Sequence, residues 1–249
     1  MTSKYIYGVT HSTTTLPAPV TGIGGAPVTL VTHDRCGALV SDLPADRPLG
    51  TRDDLLSHER VLEDLARRRV PVLPFRFGAA MTGPQEISEE LLAANQDAFL
   101  ADLEQIRGRV ELVVKGRYEN DSAYLEVLRE EPAVLELRER IRGVPEESSY
   151  DERLRLGEVI ARAMARKQAG DSDRLTAALS PYAEQVAPRP PAREDEVANL
   201  AFLVEQGQED GFEQAIEELG RQWAGRVRLR LVGPLPPYDF VGSLQGRQS

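Results

Sequence analysis

The sequence is short of the residue types that build disulfide, redox and metal sites. Its 249 residues include one cysteine, three histidines and one tryptophan. Cys36 can form no disulfide within the chain and has no second cysteine with which to complete a CxxC or zinc pair. The three histidines, His11, His33 and His58, show none of the HxH or HExxH spacings of transition-metal sites. We therefore expect no metal, no cofactor and a reducing, cytoplasmic environment.

Positive charge and long apolar runs are also scarce. Lys and Arg number 30 against 40 Asp and Glu, so the net charge is -10 and the pI is near 5.0. This balance opposes nucleic-acid binding, which needs clustered Lys and Arg. No stretch approaches the ~18 apolar residues of a membrane helix, and the first residues lack the apolar core of a signal peptide. We expect neither a nucleic-acid nor a membrane partner, and no export by that route.

The first 115 residues alternate short apolar runs with amphipathic stretches. Thr51 can cap a helix with apolar positions at Leu55, Leu62 and Leu65, which Pro71 would end. A second helix is expected at 85–107, and strands are expected at 5–9, 28–31, 36–40, 72–77 and 110–115. This order predicts an α+β fold with the helices on one face of a mostly antiparallel sheet, a modified ferredoxin-like arrangement.

The second half changes to charged helix formers. Residues 120–186 are expected to be helical, with breaks at Pro132, 143–145 and 170–172. A stiff connector at 188–191, a strand at 197–204, a helix through 212–223 and a strand at 226–232 should follow, and this sheet should include the strand near 110–115. The length predicts two domains: an N-terminal α+β domain at 1–108, a C-terminal α+β domain with long helices at 109–233, and an extended tail at 234–249.

The sequence shows no catalytic constellation. It has no GxSxG motif, and its many carboxylates lie on solvated helix faces. Cys36 is expected to be a small apolar residue in a strand, and His58 to lie on an exposed or half-buried helix face. The loop Gly22–Gly25 lacks the Lys-Ser/Thr of a phosphate-binding loop and is expected to be a surface turn. A nucleotide- or small-molecule-binding enzyme using this loop stays open as an alternative, whereas an RNA-binding fold lacks its aromatic motif and basic sheet face.

Two segments, 72–78 and 233–241, place aromatic residues beside prolines. Pro236 and Pro237 favour an extended backbone that would hold Leu235, Tyr238 and Phe240 as ordered apolar projections. These side chains either seal the molecule's own core or dock on another chain. The candidate partner-binding residues are Leu73, Phe75, Arg76, Phe77, Leu235, Pro236, Pro237, Tyr238 and Phe240.

Taken together, these segments resemble the gas vesicle protein F/L family (GvpF/GvpL). The resemblance spans nearly the whole chain and rests on YIYGV at 5–9, LVSD at 39–42, LLSHE at 55–59, LPFRFG at 73–78, ELVVK at 111–115, NLAFLV at 199–204 and GPLPPYDF at 233–240. Leu235 stands where family members often carry Trp, and an expected Asp is missing after Lys115. These departures leave the resemblance in place, but a contact that family members make through that Trp is not expected in this chain.

The resemblance implies two α+β domains and a non-catalytic accessory or minor structural protein of gas vesicles, the shells that give some prokaryotes buoyancy. Its implied partners are the hydrophobic shell subunit and other accessory proteins, bound in the cytoplasm and at the gas vesicle during nucleation or growth. A soluble acidic protein could keep such a subunit dispersed by covering its apolar surface. We expect the contact at an exposed sheet edge or in the cleft between the domains, near 73–78 and 235–240.

Overall fold

The first half of the chain forms most of the elements that its apolar patterns predict. The computed structural model describes residues 3–16, 19–43, 48–191, 193 and 195–242. In chain order, these elements are β1 (Ser3–His11), β2 (Thr29–His33), β3 (Cys36–Leu43), α1 (Arg52–Arg67), β4 (Leu73–Pro74), β5 (Ala80–Met81), α2 (Pro84–Glu86), a π-helical segment (Ile87–Ala93) and α3 (Ala94–Ile106). The chain is therefore a mixture of helix and sheet, as expected.

The second half adds long helices and a second sheet. Its elements are β6 (Arg109–Tyr118), α4 (Ser122–Glu130), α5 (Pro132–Ile141), α6 (Tyr150–Leu179), β7 (Gln185–Pro188), β8 (Glu196–Glu205), α7 (Glu209–Gln222) and β9 (Val227–Leu235). Contacts divide the chain into two units. The first unit consists of the described residues of Met1–Leu112, Leu203–Gln206 and Gly233–Ser249. The second unit consists of the described residues of Val113–Phe202 and Gly207–Val232. The domain limits at 108/109 and 233/234 stay predictions, which the separate folding of these segments would test.

The first sheet has the strand order β2-β3-β1-β4, and β5 also pairs with β1. All these pairings are antiparallel, and β2 and β3 form the predicted hairpin. The register of β1 against β3 shifts between Ile6 and Gly8. A β-carbon at Gly8 would lie 2.4 Å from the carbonyl oxygen of Leu73, so β4 can approach β1 only because this residue is glycine.

Helices cover both faces of this sheet, and the expectation of helices on one face is wrong. Tyr5, Tyr7 and Leu39 pack with α1, whereas Ile6 and Val40 pack with α3 in a separate cluster. The reason is visible in the strands themselves, because β1 and β3 are apolar at consecutive positions rather than at alternate ones. A strand of that kind must be covered on both sides. The ferredoxin-like detail is not confirmed.

The second sheet has the strand order β7-β8-β6-β9, so it includes the strand predicted near 110–115. In the second unit, α4, α5 and α6 share a small apolar cluster built on Val127, Val134 and Ala163. The predicted break at 170–172 is wrong, since α6 continues through it to Leu179. Residues 185–188, expected to be helical or a connector, form β7 instead.

Three boundaries differ from the sequence expectations. Helix α1 ends at Arg67, before Pro71, because Arg69 takes a left-handed conformation at φ 60°. The strand expected at 72–77 is reduced to Leu73–Pro74, in keeping with the missing amide hydrogen of Pro74. The expected extended tail contains a 3-10 turn at Tyr238–Phe240. Residues 243–249 of the tail, and 44–47 of the predicted loop after β3, lie outside the described residues.

Candidate partner-binding site

The tail segment packs into the first unit instead of projecting from it. The hydroxyl of Tyr238 donates to the carbonyl oxygen of Phe75 at 3.1 Å and lies 3.2 Å from Nε2 of His58. The amide of Asp239 donates to the carboxylate of Glu111 at 3.2 Å. The two segments that the sequence singled out are therefore in direct contact with each other.

The end of the tail is held by burial as well as by hydrogen bonds. Phe240 and Val241 are both buried, and Val241 belongs to the apolar cluster that contains α3. The carbonyl oxygen of Phe240 accepts a hydrogen bond from Gln105 at 3.2 Å. Removing the tail would therefore expose apolar surface on the unit that it covers.

His58 lies at the centre of this arrangement and is 1% exposed, so the expectation of an exposed or half-buried helix face is wrong. Its Nε2 lies 3.1 Å from the carbonyl oxygen of Phe75, and its Nδ1 lies 2.9 Å from the hydroxyl of Tyr5. A neutral ring with its hydrogen on Nε2 satisfies both contacts. Its ring stacks on that of Tyr7 at 5.7 Å and meets Phe77 edge-on.

Burial determines the charge state of these aromatic groups. Desolvation lowers the pKa of His58 from 6.5 to about 4, against the opposing effect of its bond to Phe75. Desolvation also raises the pKa of Tyr5 to about 12 and raises that of Tyr238 further. All three groups are uncharged at neutral pH, so they act as hydrogen-bonding and packing groups in the junction between the tail and the sheet.

The candidate partner-binding residues fall into three groups. Leu73, Phe75, Pro236 and Phe240 are buried inside the unit. Tyr238 is partly buried and used by the internal hydrogen bonds described above. The remaining four residues keep accessible surface. Arg76 is exposed, and Phe77, Leu235 and Pro237 are half-buried. We call these four residues the accessible set.

A narrow apolar cavity of about 30 Å³ adjoins part of this accessible set. Leu235, Pro236 and Pro237 of the tail line it together with Val70 and Val72. The space is large enough for one or two water molecules but not for a nucleotide or a cofactor. The cavity therefore offers no small-molecule site.

The glycine loop is used by the protein itself. The amide of Ile23 donates to the hydroxyl of Tyr7 at 2.8 Å, and the amides of Gly22 and Gly25 bond to backbone carbonyl oxygens in the loop region. Ile23 is buried in the cluster that contains α1. These amides already have partners, so the loop does not present the free row of donors that binds a phosphate. The nucleotide-dependent enzyme is not supported.

Metal and thiol chemistry find no support in the part of the chain that the structure describes. Across the described ranges, no three His, Cys, Asp or Glu side chains come together in a way that could hold a metal ion. Cys36 is buried in β3, and burial raises the pKa of its thiol, which matches the small apolar role expected of it. Among the described residues, no helix combines the length and apolar character that crossing a bilayer requires.

The sequence contains a signal for the burial of His58 that does not depend on a metal-binding motif. His58 precedes Leu62 by four residues and Leu65 by seven, and both leucines are buried. That spacing places all three side chains on one face of α1. The hydroxyl partners of His58, Tyr5 and Tyr238, could not be found in this way, because they are 53 and 180 residues distant along the chain.

Comparison with known proteins agrees with this architecture. The family model described as "Gas vesicle synthesis protein GvpL/GvpF" matches residues 3–242. Gas vesicle protein F of Streptomyces sp. (strain CB03234) is 35% identical over 96% of this chain and 99% of its own, and gas vesicle protein L of the same strain is 29% identical over 96% and 92%.

A solved structure shows that the fold is shared as well as the sequence. The crystal structure of GvpF from Anabaena sp. PCC7120 superposes with a TM-score of 0.88 at 23% identity, covering 97% of this chain and 99% of that one. The relatives and this fold cover at least 96% of the chain, and the family model includes the buried tail up to residue 242. The chain therefore belongs to the GvpL/GvpF family of gas vesicle proteins.

Proposed function

We propose that this protein is a non-catalytic accessory protein of gas vesicle assembly that binds the hydrophobic shell subunit and other accessory proteins during nucleation or growth. The observation that carries the proposal is the family match from residue 3 to residue 242, which includes both sheets, the long helices and the tail. The protein would act in the cytoplasm and at the gas vesicle.

The proposed contact with the shell subunit involves the accessible set, Arg76, Phe77, Leu235 and Pro237. These residues offer half-buried apolar surface on segments fixed by the hydrogen bonds of Tyr238 and by the buried Phe240. A preordered surface loses little conformational entropy on binding. The net charge of -10 would keep a complex with an apolar subunit dispersed.

Strand β2 (Thr29–His33) is a second candidate for this contact, because it forms one edge of the first sheet. Edge strands bind extended segments through backbone hydrogen bonds, and such pairing would cap an aggregation-prone strand of the subunit. In the register of β2 with β3, Thr32 lies opposite Gly37 in a non-hydrogen-bonded pair, so its amide points to the open edge. A proline substitution at Thr32 would block pairing at this edge while leaving the accessible set unchanged.

Co-expression with the shell subunit, followed by affinity purification and size-exclusion chromatography, tests the proposal. We expect the subunit to remain soluble in a defined complex. The double variant Phe77→Ser, Leu235→Ser should reduce its recovery at least fivefold. The control is Leu125→Ser, which makes the same change at a leucine that is 40% exposed, on α4 of the second unit.

Two results would contradict the proposal at different levels. If the subunit aggregates although the folded protein is present in excess, direct binding is wrong. If a complex forms but the double variant and the control bind equally, the function stands and the contact surface is elsewhere. Circular dichroism of each variant confirms that it is folded before binding is compared.

A further inference from the structure

The first half of α6 carries the most exposed large apolar side chains of the described residues. Tyr150 is 67% exposed and Leu154 is 57% exposed. The buried residues of this helix, by contrast, all lie at or beyond Ala163. Because Tyr150 and Leu154 are four residues apart, they lie on the same side of the helix.

This end of α6 is anchored. Ser149, which precedes the helix and is buried, donates its hydroxyl to the carbonyl oxygen of Pro145 at 2.9 Å. Arg153 donates to the same hydroxyl at 2.9 Å. Tyr150 and Leu154 are therefore presented on a helix whose start has its own hydrogen bonds.

The same side of α6 continues with small residues. Gly157 and Ala161 follow Leu154 at spacings of three and four, and both are exposed. A spacing of four, three and four is that of the contact positions between two paired helices. A β-carbon added at Gly157 would meet no atom within 4 Å beyond the adjacent backbone of its own helix, so another backbone can approach this part of the helix closely.

A groove of about 330 Å³ lies further along α6. It is lined by Ala165, Gln168 and Ala169 of the helix and by apolar residues that include Pro188 and Leu200. One side of α6 therefore carries large exposed side chains, Tyr150 and Leu154, in its first part and borders this groove in its second part. Such a surface is complementary to itself when two copies run in opposite directions.

We propose that this face of α6 is an interface between two copies of the chain, paired antiparallel about a two-fold axis near Gly157 and Ala161. Leu154 of each copy would lie against Met164 and Ala165 of the other, and Tyr150 would enter the partner's groove. In a parallel pair, Tyr150 and Leu154 of the two copies would lie against each other and both grooves would stay empty. The antiparallel arrangement therefore buries more apolar surface.

Charges beside this face fit the same arrangement. Asp151 and Glu158 lie in the first part of the helix, and Arg162 and Arg166 lie further along the same flank, where Arg166 also pairs with Glu131 of its own chain at 2.9 Å. Antiparallel pairing brings each acid towards an arginine of the other copy. Glu158 and Arg162 are also 3.4 Å apart within one chain, so the two pairs would meet as four charges around the axis.

Measuring mass by light scattering during size-exclusion chromatography, over a hundredfold range of protein concentration, tests the interface. We expect a concentration-dependent dimer that Leu154→Glu weakens at least tenfold. Leu125→Glu is the control, because it places the same charge at an exposed leucine of α4 in the same unit. A protein that stays monomeric up to millimolar concentration overturns the proposal, as does equal weakening by the two substitutions.

Disulfide trapping tests the direction of pairing. The natural Cys36 is fully buried, so background crosslinking should be small. When equal amounts of Gly157→Cys and Ala161→Cys proteins are mixed and oxidised, random pairing would give symmetric and mixed disulfides in a ratio of about 1:2:1. Antiparallel pairing predicts a mixed disulfide well above this share, since position 157 faces 161. The random ratio, or an excess of symmetric disulfides, would overturn the arrangement. This result is independent of shell-subunit binding, which uses other residues.

Discussion

At the scale of single residues, His58 makes folding depend on pH. Burial lowers its pKa from 6.5 to about 4, so between these values the unfolded chain binds a proton that the folded chain does not. Above pH 6.5 the ring is neutral in both states, and its protonation does not change the free energy of unfolding. As the pH falls from 6.5 to 4, proton uptake by the unfolded chain lowers the free energy of unfolding by about 3 kcal/mol, since one pKa unit corresponds to about 1.4 kcal/mol.

Urea denaturation of the protein and of His58→Gln at several pH values measures this contribution. Between pH 6.5 and 4, the stability of the natural protein should fall more steeply than that of the variant, which cannot take up this proton. Carboxylates titrate in both proteins and cancel in the comparison. Parallel curves would show that His58 does not titrate in this range on unfolding.

Gly22 is required for the hydrogen bonds of Tyr7. A β-carbon at this position would lie 2.0 Å from the Tyr7 hydroxyl, which contacts Ser41 and accepts from the amide of Ile23. We expect Gly22→Ala to destabilise the protein by about 1–3 kcal/mol through overpacking. Thermal denaturation measures the effect, and Gly83→Ala is the control because its added carbon meets open space. Equal melting temperatures for the two variants would refute this account.

At the scale of secondary-structure elements, α6 shows how tertiary contacts override a local break signal. Gly170 costs the helix only about 1 kcal/mol relative to alanine, while the burial of Leu175 and Leu179 beyond it stabilises the continuation. Gly170→Ala should therefore raise the free energy of unfolding by about 0.5–1 kcal/mol. Gly143→Ala, at φ 74°, should lower it. Chemical denaturation of both variants measures the two signs, and a loss of stability in Gly170→Ala would show that the glycine is needed.

Asp171 holds α6 against its neighbours in the second unit. It is 2% exposed and accepts hydrogen bonds at 2.6 Å from both Tyr118 and Arg226. Removing Arg226 leaves a buried carboxylate with weaker compensation, so Arg226→Met should cost about 3 kcal/mol. Arg228→Met, which removes an exposed partner of Glu119, should cost less than about 1 kcal/mol.

A double-mutant cycle measured by denaturation separates the ion pair from packing. Adding Asp171→Asn to Arg226→Met should cost less than the sum of the two single changes, because the uncompensated charge is then gone. Strict additivity would indicate that Arg226 stabilises the unit through its other contacts. These are its ion pair with Glu126 at 2.7 Å and its packing over the ring of Tyr118, from whose centre its guanidinium lies 5.5 Å.

At the scale of the whole molecule, the excess of acidic residues controls solubility. The net charge of -10 at pH 7 approaches zero near the pI of about 5.0. Loss of mutual repulsion should give a solubility minimum close to pH 5, where the titration of His58 also weakens the fold. Turbidity and light scattering between pH 4 and 8 measure it. Solubility that stays constant across this range would show that other surface properties dominate.

Local sequence patterns determined much of the architecture. The Thr51 capping box, the spacing of the buried Leu62 and Leu65 in α1 and the turn between β2 and β3 each involve neighbours along the chain, whereas Leu55, expected on the same apolar face, is 42% exposed. The contacts that stabilise these features lie within one or two turns of backbone, so the sequence predicts them directly. The same holds for family membership, since the characteristic segments are short and ordered along the chain.

Tertiary structure alone decided which surfaces are buried. The contact of His58 with Tyr238 spans 180 residues. The tail that supplies Tyr238 covers part of a segment for which the sequence left open both a place in the core and a contact with another chain. The two-sided covering of β1 and the continuation of α6 past Gly170 likewise depend on distant partners. The helix propensity of a residue such as glycine differs from that of alanine by about 1 kcal/mol, whereas burying one large apolar side chain contributes about 2 kcal/mol. Long-range packing therefore decides the structure where local signals are weak.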